Sequence, residues 1–65
     1  MEKEWVRIFE APEEWQIEIA RHTLEEKEID SVIINKKDRI YRIGDIELYV
    51  HRDNVIRAKQ TLKDF

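Results

Sequence analysis

Lys36, Lys37, Arg39 and Arg42 place four of the chain's twelve basic residues within seven positions, just ahead of its only glycine, Gly44. Cations at that density beside turn backbone suit phosphate or carboxylate, so residues 35–42 form a candidate anion-binding loop for a small anionic ligand. One glycine at the far end is not a nucleotide-loop signature, and the same residues make an ordinary hairpin tip whose lysines discourage aggregation. Two further donor groupings are sparser. His22 has Glu18 one turn before it and His51 has Asp53 close by, but two donors at each place fall short of a metal centre, so neither metal nor cofactor is expected. The chain has no cysteine, and Ser31 lies in an apolar run with no histidine expected near it. Among fifteen acidic residues nothing selects a catalytic pair. No residue is assigned a catalytic role, and the chain reads as non-enzymatic.

A second group comes from strand patterning. "WVRIFEA", residues 5–11, alternates with Val6 and Ile8 on one side and Trp5, Arg7 and Phe9 on the other. "IDSVIIN", residues 29–35, is β-branched and reads as a second strand with Val32 and Ile34 inward. "IELYV", residues 46–50, puts Ile46, Leu48 and Val50 on one face, with Glu47, Tyr49 and His51 on the other. Trp5, Arg7, Phe9, Ile33, Tyr49 and His51 are therefore expected on one sheet face. Large aromatics with a guanidinium are what protein interface centres favour.

Two helices must position these strands. Ala11-Pro12-Glu13-Glu14 reads as the start of a helix over about 12–27, with proline and glutamates in its first turn. Trp15, Ile17, Ile19, Ala20, Thr23 and Leu24 are assigned to its docked arc, and Glu14, Glu18, Arg21, Glu25 and Glu28 to the solvated side. Asp53 stands at a capping position, and Val55, Ala58, Leu62 and Phe65 recur behind it at helical spacing. The order β-α-β-β-α is that of a ferredoxin-like half-sandwich. This α+β fold has a three-stranded sheet in the order 1-3-2 and both helices on one face, spanning residues 1–65 as a single domain. The outer edge of the first strand is then unpaired, and an unpaired edge invites a partner.

Sixty-five residues bury only about 60% of the surface their unfolded chain exposes, and with neither disulfide nor metal, association is the expected support. The net charge is −3 and the isoelectric point near 5.3, which argues against a nucleic-acid partner. Charge is unevenly spread, at −6 over residues 10–30 and +3 over 36–42. No apolar run approaches the roughly 20 residues of a membrane span and the first residues are too charged for a signal peptide, so a cytoplasmic protein with no membrane contact is expected.

The "W-V-x-I" opening, "E-I-A-x-x-x-L-E-E-x-x-I", "N-K-K-D" followed by Tyr41, "G-D-I-E-L-Y-V" and the closing "V-x-x-A" together resemble a small prokaryotic domain family of unknown function described as signal-transducing proteins. The resemblance covers nearly the whole chain and rests mostly on core and turn positions. It implies a ferredoxin-like fold, often compared with nitrogen-regulatory PII-type proteins, and brings no reaction or active site. Members are similar to one another in a glycine that ends the first helix, where this chain has Glu28. The expectation is a regulatory protein-binding module, associating with itself or another protein through Trp5, Arg7, Phe9, Tyr49 and His51 or through the first-strand edge. The alternative is a sensor holding an anionic metabolite on Lys36, Lys37, Arg39 and Arg42.

Overall fold

The computed structural model describes residues 4–38, 40–41 and 43–63. Its elements are β1 (Trp5–Ala11), α1 (Glu14–Glu26), β2 (Ser31–Asn35), β3 (Ile46–His51), a 3-10 turn at Arg52–Asn54 and α2 (Val55–Thr61). Both β1 and β2 pair antiparallel with β3, giving the sheet order β1-β3-β2. This is the α+β, ferredoxin-like arrangement that the order of elements implies.

The core lies between the sheet and the helices. Ile46, Leu48 and Val50 of the central strand are buried on one face with Ile17, Ala20 and Leu24 of α1 and Ala58 and Leu62 around α2. The α1 stripe is narrower than the expected arc. Trp15 and Ile19 are 62% and 48% exposed. Each lies two residues from Ile17, and two residues on a helix are about 200° apart, so the three cannot share a face. Phe65 lies outside the described residues, and Asp53 does not cap α2: Asn54 precedes that helix and its side chain makes no capping bond.

Strand β1 departs most from simple alternation. Arg7 pairs with Tyr49 but Phe9 pairs with Leu48, so Ile8 is an extra residue, a β-bulge. Beyond it the parity inverts. Phe9 shares the side of Leu48 and packs against the core, whereas Glu10 comes to the face of Glu47. In β2 the register sets Ile33 against Leu48, on the core side, and Val32 and Ile34 against Tyr49 and Glu47, on the other. Val32 and Ile34 therefore point outward and Ile33 inward, the reverse of the expectation. The Val-Ile-Ile run is apolar at both parities and carries no signal to choose between them.

Helix α1 is closed by a glutamate in the left-handed region and not by a glycine. Glu28 adopts φ 60°, its N–H donates to the Glu25 carbonyl at 2.9 Å, and the Ile29 N–H donates to the Leu24 carbonyl at 3.0 Å. This is a Schellman closure, with Leu24 and Ile29 buried as its apolar contact. Arg57 of α2 adds a 2.8 Å bond to the Lys27 carbonyl. A left-handed L-residue costs about 1–2 kcal/mol, partly offset by the extra freedom glycine would lose on folding. Glu28→Gly should accordingly raise stability by about 0.5–1 kcal/mol in urea melts, while Glu28→Ala should give no such gain.

Candidate functional site

The hairpin between β2 and β3 was one candidate. Its backbone continues the ladder, with the Lys36 N–H donating to the Asp45 carbonyl at 3.1 Å and the Asp38 N–H to the Ile43 carbonyl at 2.8 Å. Two side chains then take up the turn amides. Asn35 Oδ1 accepts from the Lys37 N–H at 2.9 Å, and Asp38 Oδ1 accepts from the N–H groups of Ile40 and Tyr41 at 2.8 and 2.9 Å. The anion held by this loop's backbone is thus the Asp38 carboxylate. Lys37 Nζ donates to the Pro12 carbonyl at 2.8 Å, and Lys36 Nζ lies 3.2 Å from Glu47 Oε1. Arg39 and Arg42 lie outside the described residues. Both described cations of the proposed cluster are engaged within the chain.

The sheet face that the helices leave open is the second candidate. Sheet register brings Trp5, Arg7, Tyr49 and His51 together there, Trp5 meeting the His51 ring edge-to-face at a centroid distance of 5.9 Å. Phe9 does not join them, because the bulge turns it to the helix side. Tyr49 is only 9% exposed, so it forms the floor of the face and not an anchor.

At the centre of that face stands Glu47, 6% exposed. Its Oε2 accepts from Arg7 Nη1 at 3.0 Å, and its Oε1 accepts from the Tyr49 hydroxyl at 2.7 Å and from Lys36. In the sequence Glu47 is one carboxylate among fifteen. The signal was there in the strand order: the middle strand's outward acid is flanked by Arg7 from one neighbour and Lys36 from the other. The Tyr49 hydroxyl, then Arg7 and Lys36, hold the Glu47 carboxyl below its ordinary range despite desolvation. Donating that hydrogen bond to the Glu47 carboxylate, together with burial, raises the Tyr49 phenol.

The sign of the pH dependence follows. A depressed carboxyl contributes stability that is present above its unfolded value of about 4.3 and is lost as pH falls through the lower folded value. Glu47→Gln should therefore be less stable than the native chain at neutral pH, with the gap in melting temperature closing on acidification below about pH 4. A gap independent of pH would mean that Glu47 acts through shape alone.

The remaining sequence candidates stay apart. His22 pairs with Glu26 at 3.7 Å, and His51 Nδ1 accepts from the Asp53 N–H at 3.2 Å. Among the described residues no group of three or more histidine, cysteine or acidic side chains is placed to hold a metal, and no helix is long and apolar enough to cross a membrane. The Ser31 hydroxyl is buried without a hydrogen-bond partner among the described residues, beside Val50 on the core side.

The outer edge of β1 is the third candidate. Ladder alternation fixes which groups point outward. Lys36 bonds to Asp45, so Asp45, Glu47 and Tyr49 direct their backbone groups to β2, and their opposite numbers on the other side, Arg7 and Glu10, direct theirs away from β3. The Arg52 N–H bond to the Glu4 carbonyl at 2.7 Å agrees with this alternation. Among the described residues no strand lies beyond β1. A groove of 310 Å³ borders this edge, lined by Phe9, Glu10 and Ala11 on the strand and by Trp15, Gln16 and Ile19 on α1. Set against family models, curated proteins and solved structures, the chain matches none.

Proposed function

We propose that this chain is a non-enzymatic protein-binding module, of the regulatory kind its motifs resemble, which takes up a partner's strand along the outer edge of β1. The observation that carries this reading is the coincidence of outward backbone at Arg7 and Glu10 with the exposed apolar side chains of Trp15 and Ile19 in the adjoining groove. A strand laid there gains ladder hydrogen bonds from the edge and side-chain burial from the groove, the two components of β-augmentation. Trp5, Arg7 and His51 extend the same surface around the edge onto the open face. The anion-sensor reading has less behind it, since Lys36, Lys37 and the loop amides are already bonded within the chain.

Selection from a random peptide library on the intact chain tests the proposal. Peptides of extended, β-branched character should be enriched, should slow hydrogen exchange at the Trp5, Arg7 and Glu10 amides, and should lose binding to Trp15→Glu. No enrichment, or protection confined to β2 or the hairpin, would overturn it.

A further inference from the structure

The bulge sets which residues of β1 meet a neighbour at its outer edge. In a regular strand, residues whose backbone points to one side recur every second position, but in β1 the outward positions Arg7 and Glu10 are three apart, because Ile8 and Phe9 both lie between them. The spacing admits a regular neighbour, since β3 meets the same two residues with Tyr49 and Glu47, two apart. What selects a partner is the opposite charge of Arg7 and Glu10, and β1 itself supplies the complement.

Antiparallel pairing of two β1 strands about a two-fold axis between Ile8 and Phe9 brings Arg7 opposite Glu10 of the second copy and Glu10 opposite its Arg7. The charges are complementary at both places. The two side chains already share a face, with Arg7 Nη1 3.7 Å from Glu10 Oε2 within one chain, and both are about half exposed. The same pairing sets Ala11 beside Val6 of the second copy on the helix side, where the groove carries the exposed Trp15 and Ile19. We infer that the partner taken up at this edge is a second copy of this chain, joined β1 to β1 in the register Arg7 to Glu10, so that two three-stranded sheets become one six-stranded sheet. The symmetry makes the contact isologous and closed, ending at a dimer.

This inference rests on the edge-binding reading, and the test separates the two. Sedimentation equilibrium of the native chain should show a monomer–dimer equilibrium. Isotope-filtered NMR of a mixed labelled and unlabelled sample should show contacts between Val6 of one copy and Ala11 of the other. Glu10→Lys, at a half-exposed site, places lysine opposite Arg7 twice per dimer and should weaken association about tenfold or more. Dimerisation of Glu10→Lys as tight as that of the native chain, or intermolecular contacts centred on β2 or the hairpin, would overturn the register. A chain monomeric at millimolar concentration that still binds selected peptides at Trp5, Arg7 and Glu10 would refute self-pairing while leaving the edge-binding reading intact.

Discussion

Leu48→Ala should lower the unfolding free energy by about 3 kcal/mol, read as a fall of about 3 M in the urea midpoint at a slope near 1 kcal/mol/M. Leu48 is fully buried at the middle of the middle strand, with Phe9 as its register partner on β1 and Ile33 on β2. A cavity at that point has sheet on both sides and helices above it, so its walls cannot close in without shifting strand register. At about 0.1 kcal/mol per residue, 65 residues hold about 6 kcal/mol in total, and the substitution removes about half of it. Ile56→Ala, at a side chain 75% exposed, is the matched control and should change stability by less than about 0.5 kcal/mol.

Gly44→Ala should cost about 2–3 kcal/mol in the same measurement. Gly44 has φ 106°, and a Cβ built there would stand 2.7 Å from the Lys36 carbonyl oxygen. Two penalties combine: a backbone conformation that L-residues rarely adopt, and a contact with main chain that cannot swing aside. The Lys36 carbonyl belongs to the residue whose N–H closes the ladder on Asp45, so relief of the contact opens the hairpin at its base. Asp45→Ala, which keeps that backbone bond, should cost far less than Gly44→Ala. Equal losses would place the effect in turn composition and not in the glycine's geometry.

The architecture was legible because its signals were local and redundant. The alternation of Ile46, Leu48 and Val50 against Glu47, Tyr49 and His51 gave the central strand both its faces, and the order of elements gave the sheet order. What could not be read was parity where the sequence is degenerate. Val32-Ile33-Ile34 looks the same to a core from either side, and "VRIFE" holds no residue that announces a bulge, so Ile33 and Phe9 were placed on the wrong face. The helix arc is narrower for a different reason: apolar character at Trp15 and Ile19 does not mean burial, because a helix cannot bring them to the side of Ile17.

The candidate site shifted accordingly. Arg7 was singled out from its type and strand position, but Glu47, its main partner, is visible only once three strands are side by side. In the basic loop, composition shows cations and does not show that Asn35 and Asp38 satisfy the amides between them. Glu28 is instructive, since the bend forms with a glutamate at a left-handed position that favours glycine, and the Leu24–Ile29 contact holds it in place.

The irregularity at Ile8 also bears on how the bare edge meets other strands. A bare sheet margin is a template for endless stacking by any flat, periodic strand. Here the bulge sharpens the local right-handed twist of β1, so the margin that a flat strand would meet is bent between Arg7 and Glu10, a device by which sheet edges discourage fibre growth.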